Sequence, residues 1–258
     1  HEVEIGVRRD GTIVALHDRF TVDLGAYVRT HGVIVPELTG ALLPGPYRVP
    51  HYECEALCVL TNKTPTGTYR GPGRYECTFV RERMVDLVAR ELRLDPVEVR
   101  RRNFIGPEEM PYNAGGASLG QHIVYDCGDY RSAFDQALGL AGYAELRKEQ
   151  VRARGEGRHL GIGIGCVVEK AGLGPWEYAR VEVDGSGHVV VYSGVAAVGQ
   201  GIETTLAQVC ADELGLEPEA ITVVHGDSAQ VPFGVGGFAS RGASVALPAA
   251  LEAARKVK

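Results

Sequence analysis

Three glycine-rich stretches each run toward an expected helix: Gly67-Thr68-Tyr69-Arg70-Gly71-Pro72-Gly73-Arg74, Gly199-Gln200-Gly201, and Gly234 to Gly242. A helix start offers unpaired N–H groups and the positive end of a dipole, so it can hold an anion or a ring rich in carbonyls. Glycine lets the backbone come close to such a ligand. Any one of these loops is better explained as a tight turn or a cap. Three in one chain point to a large, polyanionic ligand with many acceptor atoms, held between two lobes. Arg70 and Arg74 flank the first loop, where a guanidinium can pair with a phosphate or polarise a substrate oxygen; a solvated charge on a turn is the plain alternative.

Other constellations carry less. Gly161-x-Gly163-x-Gly165 has the wrong spacing for a dinucleotide fingerprint and sits in an apparent strand instead of opening a helix. His17, His31, His159, His188 and His225 share no spacing, so no metal site is assigned. The six cysteines include no CxxC pair. Cys54 and Cys58 share a strand face but lie roughly 13 Å apart, too far for one ion. Reduced, mostly buried thiols of a cytoplasmic protein are expected. Arg100-Arg101-Arg102 reads as a solvated helix face, and Met84 and Trp176 as packing.

The elements that must position these loops follow from pattern. Val3, Ile5 and Val7 alternate up to the Asp10-Gly11 turn signal, Thr12 to Leu16 is β-rich, and Phe20 to Leu24 extends the hairpin. Pro36 to Pro50 holds four prolines and reads as loop. A strand spans Tyr52 to Leu60, and a helix runs from about Glu76 to Arg93. Asp95-Pro96-Val97-Glu98 is a helix start with a capping Asp and Pro at the first helical position. Pro107 to Gln121 reads as connector. Asp129 caps a helix to Leu140, and another ends at Gly155-Glu156-Gly157, the best domain boundary. Leu160 to Glu169 looks like a strand. Tyr178 to Val183 and His188 to Tyr192 form a hairpin, Ile202 to Leu214 a helix, Ile221 to His225 a strand, and the chain ends in a helix. Arg90 to Pro96 echoes Asp212 to Pro218. The expectation is an α+β protein of two related lobes, residues 1–155 and 156–258, each a mixed, antiparallel-rich sheet packed with helices.

Composition excludes several classes. With 258 residues, 45% hydrophobic and 23% charged, the chain can bury a core. A net charge of −6 argues against a nucleic-acid partner. The longest uncharged stretch, Gly185 to Ile202, is too rich in glycine and polar residues to be a membrane span. The chain opens without Met, inside an apparent strand, and ends inside an apparent helix, so a piece of a longer protein is expected.

The run Thr61 to Arg74 resembles the molybdenum-binding large subunit of the xanthine dehydrogenase and aldehyde oxidase family. So do Phe79-Val80-Arg81-Glu82-Arg83, Asp95 to Asn103, Gly199 to Thr204 with Gln208, Val224-His225-Gly226-Asp227 and Gly237-Phe238-Ala239-Ser240-Arg241. The flavour is that of bacterial carbon monoxide dehydrogenase-like large subunits. The resemblance implies a molybdopterin cofactor in its cytosine dinucleotide form. It puts Tyr69, Arg70 and Gly71 near the molybdenum ligands, with Arg70 the candidate catalytic residue. Gly71 and Pro72 would face the substrate. Gly199, Gln200, Gly201, Phe238, Ala239, Ser240 and Arg241 would hold the pterin. It implies hydroxylation of aldehydes or N-heterocycles with water as oxygen source. Iron–sulfur clusters and FAD would lie on partner domains or subunits, in an assembly that dimerises. Pro72 stands where purine hydroxylases of the family tend to carry an aromatic, so purines rank lower. In the copper-containing branch a Cys follows the loop Arg; here Gly71 does, which implies the non-copper branch. The family's general-base Glu, in a Gly-x-Gly-Glu motif, is expected beyond Lys258, so the isolated chain is expected to be inactive and free of cofactor. The rival reading is a non-catalytic binding or assembly module that retains the loops.

Overall fold

The structure is a computed structural model that describes residues 1–29, 31–118 and 120–258. It divides into two compact units, His1–Glu169 and Lys170–Lys258. Both are α+β.

In the first unit β1 (Glu2–Val7) pairs antiparallel with β2 (Ile13–Asp23), and β2 pairs parallel with β3 (His51–Val59). A parallel pair needs a crossover. α1 (Ile34–Ala41) provides it, within the stretch that the prolines mark as loop. Only Pro36 falls inside this helix, in its first turn, where a missing N–H costs nothing; Pro44, Pro46 and Pro50 follow its end. α2 (Arg74–Leu92) and α3 (Pro96–Asn103) come next. The Asp95 side chain caps α3 by accepting from the Val97 N–H at 2.7 Å.

Residues Pro107 to Gln121 are not a plain connector. β4 (Tyr112–Ser118) and β5 (Gln121–Tyr125) make a hairpin whose register shifts between Asn113 and Ala117. The Gly115-Gly116 pair hides the strand alternation. Gly116 also lets β4 press on α1, since a Cβ there would lie 2.4 Å from the Ala41 oxygen. α4 (Tyr130–Ala141), capped by Asp129 through the Ser132 N–H, and α5 (Tyr143–Gly155) complete the helices.

The segment after α5 corrects three expectations. Leu160 to Glu169 is extended and alternates in burial but joins no sheet among the described residues. Its carbonyls go elsewhere: Arg100 donates to the Ile164 oxygen at 3.2 Å, and Arg81 donates to that of Cys166. Ile164, Cys166 and Val168 pack against the first unit's cores. The division therefore falls after Glu169 and not at Gly155. Nor is Arg100 solvated. It is fully buried and pairs with Glu82 at 2.9 Å and Asp86 at 2.9 Å, while Glu82 also pairs with Arg81 at 3.0 Å and accepts from the Tyr47 hydroxyl at 3.0 Å. Arg101 and Arg102 remain surface ion pairs with Glu98, Asp135 and Asp10.

In the second unit β6 (Ala179–Val183) pairs antiparallel with β7 (Val189–Ser193), and β7 pairs parallel with β8 (Ile221–His225). α6 (Ile202–Leu214) makes the crossover, and α7 (Leu247–Val257) follows β8. Val189, Val191, Leu206, Cys210, Ala250 and Ala254 form the core.

The two three-stranded sheets share one topology, an antiparallel pair and then a parallel strand reached through a helix. By that topology α6 corresponds to α1, and α7 to α2. The echo of Arg90–Pro96 in Asp212–Pro218 therefore relates α2 to a helix that is not its counterpart. It reflects a shared way of ending a helix: Arg93 and Gly215 are both left-handed caps, with φ of 56° and 73°. All six cysteines are unbridged; Cys77 and Cys210 are buried, whereas Cys58 and Cys127 are exposed.

Candidate cofactor-binding loops

In the first unit, residues 61–67 leave β3 and lie against residues 24–26, with backbone bonds from Thr61, Thr66 and Ala26. Asp23 fixes this junction. Lys63 at 2.9 Å, the Thr61 hydroxyl at 2.7 Å and the Gly25 N–H at 2.9 Å hold its carboxyl down to about 2.

Gly71 to Arg74 then forms a turn closed by the Arg74 N–H on the Gly71 oxygen at 3.1 Å. Gly71 and Gly73 have φ of +74° and +78°, the left-handed region that other residues rarely adopt. At Gly73 a Cβ would also lie 2.6 Å from the Thr39 nitrogen, so the turn sits hard against α1.

The two arginines flanking the loop part company. Arg74 turns inward, with Nε and Nη2 on the two carboxylate oxygens of Glu169 at 2.8 and 3.0 Å, and Nη1 on the Pro72 oxygen at 2.8 Å. Its guanidinium is occupied in holding the loop. Arg70 is exposed and makes no ion pair or hydrogen bond among the described residues. Tyr69, 81% exposed, stands beside it.

In the second unit Gly199 and Gly201, φ +90° and +76°, bracket Gln200 at the start of α6. Neither glycine has any atom within 4 Å of where a Cβ would stand, so the loop is open on both sides. The Gln200 Oε1 accepts from the Val198 N–H at 2.6 Å. That bond fixes which end of the amide is which, leaving Nε2 as the outward donor. The third loop lies next to it. A Cβ on Gly237 would be 3.0 Å from the Ala196 oxygen and 3.8 Å from Gln200 Nε2, and Gly234 meets Gly194 backbone to backbone. Two loops some 40 residues apart in the sequence are thus brought together within this unit.

Phe238, Ala239 and Ser240 cross the tip of the third loop. Ala239 and Ser240 are both left-handed, with φ of 48° and 55°. Two successive non-glycine residues in this region are strained and need support. Arg241 supplies it. Its guanidinium is buried, donating to the oxygens of Leu173, Trp176 and Gly236 and to the Glu177 carboxylate at 3.0 Å. Glu177 in turn accepts from the N–H groups of Tyr178, Val235 and Gly236 at 2.9, 3.0 and 3.0 Å. Burial alone would push that carboxyl up, but these N–H groups and the guanidinium hold it below the ordinary value. Arg241 therefore works on the protein side of the loop, its backbone N–H included, which donates to the Phe238 oxygen at 3.1 Å.

Sequence reasoning passed over Glu177 and the Lys170 to Trp176 run that it anchors. The signal was available: an acid between apolar residues at the start of a strand, preceded by Gly172-Leu173-Gly174-Pro175. Gly174 is a glycine because Arg241 Nη1 would lie 2.5 Å from a Cβ there. Trp176, expected in packing, is 47% exposed, edge-on to Phe233 at 6.3 Å.

Within the second unit the donor set is an oriented amide N–H, the N–H groups at the start of α6, and glycine loops open where Cβ atoms would otherwise intrude. It fits a ligand that is anionic and rich in acceptors, as a pterin dinucleotide is. Among the described residues no three His, Cys, Asp or Glu side chains converge as a metal-ligand group.

Comparison with known proteins agrees with this architecture. Residues 1–104 match one molybdopterin cofactor-binding domain family, and residues 136–258 match a second of the same description. The chain is 42% identical over its whole length to the gamma subunit of the 6-hydroxypseudooxynicotine dehydrogenase complex of Paenarthrobacter nicotinovorans, of which it covers 32%. It is 33% identical over 98% of its length to the carbon monoxide dehydrogenase large chain of Hydrogenophaga pseudoflava, of which it covers 33%. Quinoline 2-oxidoreductase from Pseudomonas putida 86 superposes with a TM-score of 0.89 at 32% identity, over 99% of this chain and 34% of that one. The chain belongs to the molybdenum hydroxylase large-subunit family of the xanthine oxidase type, and it spans about a third of the length of these relatives. No helix among the described residues is long and apolar enough to cross a membrane.

Proposed function

We propose that this chain is the cofactor-holding part of a molybdenum hydroxylase that oxidises N-heterocycles or aldehydes, and that flat N-heteroaromatics are its better substrates. The observation that carries the reading is the juxtaposition in the second unit of the open Gly199-Gln200-Gly201 loop with Gly237 to Ser240. The unpaired Arg70 of the first unit supports it separately. The heteroaromatic preference rests on the quinoline enzyme among the similar structures and on the gamma subunit at 42% identity, whose complex is named for 6-hydroxypseudooxynicotine.

Residues 1–169 and 170–258 are each read as a partial molybdopterin-binding lobe. Gln200 Nε2 and the N–H groups opening α6 would bind the pterin's acceptors. The backbone of Phe238 to Ser240 would close over it, held in shape by the Glu177–Arg241 pair. Arg70 would place a fixed positive charge at the first loop, with Tyr69 beside it, while Gly71 and Pro72 would line the substrate's approach. The cofactor, as a cytosine dinucleotide, would supply the two-electron oxidation with oxygen from water. Three nearby acids are committed: Glu169 to Arg74, Glu177 to Arg241 and Glu203 to His225 at 2.9 Å. This supports a proton acceptor contributed from outside these loops.

Iron–sulfur and FAD domains or subunits would carry electrons away, in a dimeric cytoplasmic assembly; six unbridged cysteines suit a reducing compartment. The non-copper reading also gains support. A thiol at residue 71 would need φ of +74° and would strike the Tyr75 hydroxyl, 3.0 Å from the Cβ position.

The test is to purify the intact enzyme, measure molybdenum and the cytidine monophosphate released on hydrolysis, and assay dye-linked oxidation of quinoline, benzaldehyde and xanthine. Near one molybdenum and one cytidine monophosphate per large subunit, with quinoline preferred, is expected. Cofactor without turnover of any substrate would favour a binding or assembly module. Stoichiometric copper would overturn the branch, and xanthine as best substrate would overturn the ranking.

A further inference from the structure

Tyr75 is the second residue of α2, directly after the first loop. Its ring tip lies on Gly71: the hydroxyl is 3.0 Å, Cζ 3.1 Å and Cε1 3.6 Å from where a Cβ on that glycine would stand. Residue 71 is therefore glycine for two reasons, its left-handed backbone and the space this ring occupies. The phenol is 56% exposed and makes no hydrogen bond among the described residues. Several other tyrosine hydroxyls are engaged. Tyr47 bonds Glu82, Tyr125 the Gly45 oxygen, Tyr143 Asp95 and Tyr192 Glu182. Tyr75 thus combines a ring seated on the loop backbone with a free polar tip. Two groups extend its setting. Arg70 adjoins Gly71 with its guanidinium unpaired, and Phe79, 69% exposed, lies one helical turn on, on the same face of α2. An aromatic wall with one hydroxyl and one cation suits a flat ring that carries an acceptor atom.

We propose that Tyr75 is a substrate-contacting, specificity-determining residue, whose hydroxyl donates a hydrogen bond to the ring nitrogen of an N-heteroaromatic substrate. The inference rests on the functional reading above, because it takes Gly71 to border the substrate's approach. The hydroxyl supplies recognition without chemistry: it holds the heterocycle by its acceptor edge and takes no part in proton removal. An aldehyde lacking a ring nitrogen gains nothing from it. The residue at position 72 is proline and has no aromatic face to offer, so the ring that stacks and orients comes from three positions further along.

The test compares Tyr75→Phe with wild type in the intact holoenzyme, with molybdenum content measured for each. For quinoline the variant's KM should rise about three- to tenfold, the usual worth of one neutral hydrogen bond, with kcat within about twofold. For benzaldehyde KM and kcat should stay within about twofold. Titration of the holoenzyme with 2-methylquinoline, which keeps an acceptor ring nitrogen but is blocked at the neighbouring carbon, followed by difference absorbance, should show the same weakening. Tyr75→Phe keeps the ring on Gly71, so molybdenum content should not change. Unchanged KM for both substrates would overturn the proposal. So would parallel losses for both, or a fall in molybdenum content, since either would mark a supporting role. A wild-type enzyme with full molybdenum that oxidises benzaldehyde but not quinoline would refute the substrate class and leave the hydroxylase reading standing. A wild type that oxidises neither would refute that reading itself, and the proposal with it.

Discussion

Glu177→Ala removes the anion at the centre of the second unit's loop support. It leaves the Arg241 guanidinium, buried as completely as Glu177 itself, without its counter-charge. It also strips an acceptor from the N–H groups of Tyr178, Val235 and Gly236. Arg241 keeps three carbonyl partners, so it stays in place as an uncompensated charge. Breaking one side of a buried pair costs about 3–5 kcal/mol. Glu177→Gln keeps the shape and one acceptor oxygen but turns an amide toward two donors, Gly236 N–H and Arg241, so about 2 kcal/mol is expected. Trp176 is the chain's single tryptophan and adjoins Glu177, so its fluorescence in urea reports on this unit. At a slope of about 2 kcal/mol/M, the alanine variant should unfold about 2 M earlier and the glutamine variant about 1 M earlier. The pH dependence adds a sign. A carboxyl held below its unfolded value of 4.5 stabilises fully above that pH and loses its contribution as pH falls through the lowered value. The gap between wild type and Glu177→Gln should therefore close on acidification below about 4.5. Midpoints within about 0.5 M of wild type for the alanine variant, or a gap that persists unchanged to pH 3, would refute the reasoning.

Gly45→Ala would place a Cβ 2.4 Å from the Arg81 guanidinium carbon at a residue with φ of +57°. Loss of about 2–4 kcal/mol is expected, read as an earlier thermal transition by far-UV circular dichroism. Arg70→Met should leave the unfolding midpoint within about 0.5 kcal/mol of wild type while lowering the molybdenum content of the intact enzyme, whereas Arg74→Met should cost about 1–2 kcal/mol through loss of the Glu169 pair. Asp23, held to about 2 by Lys63, Thr61 and the Gly25 N–H, should titrate by NMR well below the ordinary 3.8, and its contribution to stability should be present above pH 3.8 and fade toward pH 2. Asp23→Asn should lose that part of the acid dependence.

Most of the scaffold was legible because its signals are local. The Asp95-Pro96 start, the Asp129 cap and the Asp184-Gly185 hairpin each act within a few residues, and each stands as read. The misreadings share one cause, which is that tertiary partners replaced local ones. α1 hid behind a proline that its first turn tolerates. β4 hid behind glycines that its packing on α1 requires. Leu160 to Glu169 alternates like a strand, but its inward carbonyls are taken by Arg81 and Arg100, two buried charges that a sequence shows only as members of charge runs. The glycine loops were visible as loops. Which side chains face outward from them was not visible, because that depends on Glu169 and Glu177, acids lying 64 or more residues away from their partners.

Those two acids expose the deeper symmetry. Arg74 and Arg241 stand at equivalent places, each at the end of the loop that follows the third strand and just ahead of a helix: α2 in the first unit, and the π-turn leading into α7 in the second. Each donates to a backbone oxygen of its own loop, Pro72 or Gly236, and each is held by a glutamate from the single run Glu169 to Glu177. A loop that presents backbone N–H groups outward can fix itself only through its carbonyls, as Gly71 does by accepting from Arg74 and Ala239 by accepting from Gly172. The rest of its fixing comes from one side chain reaching back into the protein, and arginine, with five donors in a rigid fork, can bind a carboxylate and carbonyls together. The inward arginine at each loop's end is what leaves Arg70 in one unit, and the Phe238 to Ser240 tip in the other, on the outer side of its loop. Labour within the loop motif is therefore divided, with the last arginine shaping the loop and the residues before it presenting donors outward.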